Sequence, residues 1–245
     1  GGHSGEAWSG LLSTGYFLPT ILSTLGLIFY DAWQLSAVTE EEERETFFTR
    51  IFRIYSCVMF CCGAGILWLC RPLMHVMKAS YYEAWRFVPF LTLAAVCSCY
   101  SQFLNSVYVV YKRSVHSLVT MLAGAVANCV LNYFLILWWG PVGASVASFV
   151  SLGLVFALRA ADTHQMLRMS VHPGRVAVNF VLLAAEALVL LAEVPLYGLW
   201  TGLITAVVIL YNFSGVWAMA RMLLPKLLGR RGRALVNRVD AWAKR

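Results

Sequence analysis

Between Ser114 and Leu158 the chain carries not one Asp, Glu, Lys or Arg. As a single helix that stretch would be about 68 Å long at ~1.5 Å per residue, more than twice the ~30 Å of a bilayer's hydrocarbon core. It has to fold back on itself. The string Trp138-Trp139-Gly140-Pro141 marks the place, because Gly and Pro punctuate regular structure and Trp favours the border between lipid and water.

The rest of the sequence has the same character. Of 245 residues, 60% are apolar and 13% are charged, against about 25% charged in an average soluble domain. The exterior of a soluble protein must be largely polar, and this composition cannot supply one. An ordinary soluble enzyme, a disordered chain and a nucleic-acid binder are thereby excluded. The net charge of +7 belongs to residues between apolar runs and at the C-terminus, where they face membrane phosphates.

The sequence predicts an all-α, polytopic membrane helix bundle of about seven spans. They cover residues 7–33, 54–77, 87–111, 114–138, 142–158, 176–193 and 196–220, with a basic cytoplasmic tail over 221–245. Helices are required because lipid offers nothing to an unpaired backbone group. The longest loops are expected over 31–53 and 159–175. With alternating connections, sixteen Lys and Arg fall on the side of the C-terminal tail and three on the other. The positive-inside rule then sets that tail in the cytoplasm. The chain opens on Gly1 and enters its first apolar run almost at once, so it reads as a piece of a longer protein.

Within the spans, a few residues carry polarity. Ser9, Ser13, Thr14, Tyr16, Thr20, Ser23 and Thr24 recur along the first run around Pro19. A proline bends a helix, and hydroxyls on a bent helix suit either a wall facing water or close packing. Tyr16, Thr20 and Ser23 are candidates to line a substrate cavity, with Asp31 and Gln34 at its inner mouth and Lys112 and Arg113 as cations at the cytoplasmic opening. Asn128 and Asn132, four residues apart, are expected to bond across to another helix. Gly143, Ala147 and Ser151 form a small stripe, Gly198 and Gly202 another, and both predict close helix contact. Glu186 is the acid deepest inside an apolar run. A carboxylate there needs a partner or a proton, and a functional role, packing in a groove and snorkelling toward an end all remain open. No Lys or Arg is expected to lie deep in the membrane.

Catalytic signatures are missing. There is no HExxH, GxSxG, Walker lysine loop or GxGxxG, so no catalytic residue, metal or cofactor is expected. His164 beside Asp162 has no nucleophile for company. Asn212-Phe213-Ser214 spells a glycosylation sequon inside a span and is discounted. Cys57, Cys61, Cys62, Cys70, Cys97, Cys99 and Cys129 all sit in apolar runs without metal spacing and read as small packing residues.

Several strings carry a family resemblance. Phe29-Tyr30-Asp31-Ala32-Trp33-Gln34-Leu35-Ser36-Ala37 precedes the acidic stretch Thr39–Glu45. Tyr82-Glu83-Ala84-Trp85-Arg86-Phe87-Val88-Pro89 heads a span, and Tyr111-Lys112-Arg113-Ser114 precedes Asn128 and Leu131-Asn132. Gly140-Pro141-Val142-Gly143-Ala144 follows. In this order they resemble the C-terminal half of the polysaccharide flippases in the multidrug/oligosaccharidyl-lipid/polysaccharide exporter superfamily. The resemblance spans about residues 7–175. It implies two lobes of six helices around a shared cavity, often with two further helices, and places the seven spans eighth to fourteenth. It implies an undecaprenyl-linked oligosaccharide as substrate, the membrane lipids and the N-terminal lobe of the same protein as partners, and alternating access in the cytoplasmic membrane as the mechanism.

Other readings compete. A cation-coupled drug exporter or a lipid II flippase belongs to the same superfamily. A polyprenyl-phosphate sugar transferase would need acidic or His groups on sizeable loops. A non-transporting membrane protein would need neither.

Overall fold

The computed structural model describes residues 2–39, 44–76, 79–167 and 172–243; side chains are described for 10, 13–31, 45–75, 82–167, 172–219 and 221. Among these residues the chain is helical throughout, without strands. Seven helices follow one another: α1 (Gly2–Thr39), α2 (Arg44–Val76), α3 (Val88–Val110), α4 (Ser114–Trp139), α5 (Pro141–Met166), α6 (Pro173–Leu191) and α7 (Tyr197–Ala243), with a 3₁₀ segment over Ala79–Arg86 leading into α3.

Each run expected to span the membrane is a helix, and six of them, α2 to α7, are long and apolar enough to cross a bilayer. Among the described residues α1 is the remaining helix of the seven that the sequence predicts. The two long loops are also largely helix: α1 runs to Thr39, α2 begins at Arg44 and α5 continues to Met166. Charge marks where lipid ends, but Glu, Arg and Ala are good helix formers and carry the helix past that border. Likewise α7 continues into the basic tail as far as Ala243.

The hairpin at Gly140 forms where the sequence puts it. Gly140 adopts φ +58°, its N–H closes α4 on the Ile136 carbonyl at 2.9 Å, and Pro141 opens α5. Positive φ favours glycine, and proline at a first helical position gives up no hydrogen bond. The two arms then press together. A Cβ added at Gly143 would lie 2.1 Å from the Leu135 carbonyl oxygen, so only glycine permits that backbone approach.

Helix α3 is the axis of the bundle. It touches α1, α2, α4, α5 and α6, while α7 packs on α2 and α6. The core between α2, α3 and α6 is aromatic: Phe52 meets Phe103 at 5.1 Å, and Phe60 meets Phe180 at 5.1 Å edge to face. In lipid such contacts act through shape and dispersion rather than exclusion of water. Helix α4 touches mainly α5 and leaves Leu118, Met121, Val126 and Leu137 exposed along its outer side.

Candidate functional site

The small stripe on α5 extends further than its first three members. Gly143, Ala147, Ser151, Val155, Arg159 and Thr163 recur at four-residue spacing, and all are buried. Continued helix therefore carries Arg159 inward, at 4% exposure, instead of releasing it into a loop. The reading of 159–175 as a loop is corrected here, since Arg159 is a buried helical residue. Arg159 Nε donates to Thr120 Oγ1 at 3.1 Å, Nη1 to the Ser101 carbonyl at 2.8 Å and Nη2 to the Ser117 carbonyl at 3.4 Å. It thus ties α3, α4 and α5 together. Among the described residues it has no ion pair.

Arg159 lines a cavity of about 540 Å³ between α1, α3, α4 and α5. The polar wall comes from Tyr30, Ser98, Ser101, Gln102, Asn105, Ser114 and Ser117; Leu27, Leu118, Met121, Leu152 and Val155 supply the apolar part. Asn105 Oδ1 accepts from the Ser117 hydroxyl and holds the α3 and α4 walls in register. A second cavity of about 380 Å³ lies at the same end of the bundle, lined by Tyr111, Arg113, His116, Asp162, Gln165 and Met166. There His116 Nδ1 lies 2.9 Å from Asp162 Oδ2, joining the start of α4 to the end of α5.

The sequence candidates are distributed unevenly about these cavities. Tyr16, Thr20 and Ser23 do not line the larger one; α1 contributes Leu27 and Tyr30 instead. Thr20 donates to the Tyr16 carbonyl at 2.7 Å and Ser23 to that of Pro19 at 3.4 Å, so these hydroxyls are bonded within their own helix. Tyr16 OH lies 3.4 Å from Ser148 Oγ on α5. Asp31 is exposed near the end of α1. Gln34 lies on α1, but its side chain is outside the described residues. Of the two mouth cations, Arg113 lines the smaller cavity, and Lys112 is exposed in the turn between α3 and α4. Asn128 crosses to α5, donating to Ser151 Oγ at 2.9 Å, whereas Asn132 donates to the Asn128 carbonyl and side-chain oxygens within α4.

Glu186 belongs to a different part of the molecule. It is wholly buried on α6 and accepts from Thr205 Oγ1 of α7 at 2.8 Å, while its second carboxyl oxygen has no hydrogen-bond partner. Two turns before Glu186 on α6, Asn179 exchanges amide bonds of 3.2 and 2.6 Å with Asn212 of α7, so the sequon asparagine is a packing residue. Arg71 is the second buried arginine. Its guanidinium lies 3.9 Å over the Trp85 ring and 4.3 Å over that of Tyr197, and 3.4 Å from Glu193 Oε1. Among the described residues no three His, Cys, Asp or Glu side chains gather as metal ligands would.

No family model, curated protein or solved structure matches this chain. The multi-pass helical membrane architecture stands on the fold itself.

Proposed function

We propose that the chain is the C-terminal part of a membrane flippase that moves an undecaprenyl-linked oligosaccharide across the cytoplasmic membrane for polysaccharide biosynthesis. The observation that supports this most is the polar, arginine-bearing cavity enclosed by apolar helices α1, α3, α4 and α5. A sugar headgroup needs hydroxyl and amide partners inside the bilayer, while the lipid tail needs an apolar side left open. Both demands are met within one wall. The C-terminal tail faces the cytoplasm in this reading, and an N-terminal lobe of the same protein completes the central passage.

The test is genetic. Disrupting the full gene in its own cell is expected to abolish surface polysaccharide, and polymer reaching the surface at its normal level refutes the proposal. A cation-coupled exporter is the second reading, favoured by Glu186 with its one unbonded oxygen. Drug efflux that collapses on Glu186→Gln, with surface polymer intact, decides for that alternative.

A further inference from the structure

Among the described residues, Arg159 is the single charged side chain lining the larger cavity. Its surroundings are all neutral: hydroxyls, amides, carbonyls and aliphatic groups. A guanidinium has five N–H donors in a planar fork, and three of them go to protein oxygens. One hydrogen is left on each of Nη1 and Nη2, the pair that meets a phosphate edge to edge. A cation held out of water by neutral groups alone is unfavourable until an anion joins it.

The anion's carrier is indicated by the wall itself. Leu118 and Met121 line the cavity and also belong to the exposed apolar side of α4. A ligand seated against them has one polar end and a path into the bilayer for an apolar one. Arg159 lies seven residues, or about 10 Å at ~1.5 Å per residue, inside the Met166 end of α5, within reach of a headgroup entering from that end.

We infer that this cavity holds the phosphate of an anionic lipid headgroup, with Arg159 as its charged contact and Ser98, Gln102 and Ser114 as neutral donors beside it. The inference rests on the flippase reading for the identity of the lipid, though not for the phosphate.

The experiment offers the purified full-length protein, in non-ionic detergent, four compounds separately: undecaprenyl diphosphate, inorganic pyrophosphate, phosphatidylglycerol and phosphatidylcholine. Retained ligand is read by native mass spectrometry. Undecaprenyl diphosphate is expected to be retained, and Arg159→Gln to weaken its retention at least tenfold, with Arg159→Lys between the two. Gln102→Glu keeps every Arg159 bond to the protein, adds a negative charge to the cavity and is expected to weaken retention as much. Unchanged retention in Arg159→Gln and Gln102→Glu overturns the inference, as does retention of pyrophosphate alone or of phosphatidylcholine equally well. Phosphatidylglycerol held as tightly as the polyprenyl lipid, with the same dependence on Arg159, upholds the phosphate site and removes the support it lends the flippase reading.

Discussion

Two buried arginines stand at opposite ends of the bundle, and their surroundings differ in kind. Arg71 is enclosed between the rings of Trp85 and Tyr197 and paired with Glu193. Its charge is answered within the fold, and it closes the end where α2, α6 and the 3₁₀ segment meet. Arg159 is answered only by dipoles, beside about 540 Å³ of open volume. Both side chains tie helices together, but only at Arg71 is the charge itself answered by another charge.

Truncation should divide them most sharply. Arg71→Ala loses two ring contacts and the ion pair, and is expected to destabilise by about 4 kcal/mol, the sum of two desolvated cation–π contacts and a partly exposed ion pair. Thermal unfolding in detergent measures it; a loss below about 1 kcal/mol would dissolve the distinction between the two ends.

The turns near the two arginines sharpen the comparison. Lys112 and Glu193 both have positive φ, at 55° and 49°. At Lys112 the N–H of Arg113 reaches the Tyr108 carbonyl at 2.8 Å and that of Lys112 the Val109 carbonyl at 3.2 Å, the paired bonds of a helix end that favours glycine. Lys112→Gly is expected to stabilise by about 1 kcal/mol through relief of the left-handed strain. Glu193→Gly relieves the same strain but loses the partner of Arg71, and should gain nothing. Equal stabilisation by both, in one unfolding series, would show the Arg71 ion pair to be idle.

The smallest effect on stability is expected at Arg159. Replacing it with Gln forfeits hydrogen bonds but removes an ion without a carboxylate partner, and these oppose each other. The melting free energy of Arg159→Gln should stay within about 1 kcal/mol of the parent. A loss as large as that of Arg71→Ala would make Arg159 another brace.

The architecture was largely legible in the sequence, and the cavity was not. Runs of uncharged residues located the helices, and Gly140-Pro141 located the hairpin, because lipid imposes one rule on every backbone group it touches. Asn128 and the stripe through Gly143 forecast the contact of α4 with α5 for the same reason. Arg159 was missed because a charge was read as the end of a span. The signal was present in the four-residue period, which runs unbroken from Gly143 to Thr163. Thr20 and Ser23 show a second reason: a hydroxyl can satisfy itself on the carbonyl one turn back, and nothing local reveals which will do so.

The attachment of α4 has a mechanical consequence. That helix leans on α5 and has few neighbours besides, and its arms meet so closely at Gly143 that they cannot slide independently. Since α5 in turn lies along α3, α4 is moored to the bundle at second hand, and the seam at Gly143 sets how firmly the outer wall of the chamber is held.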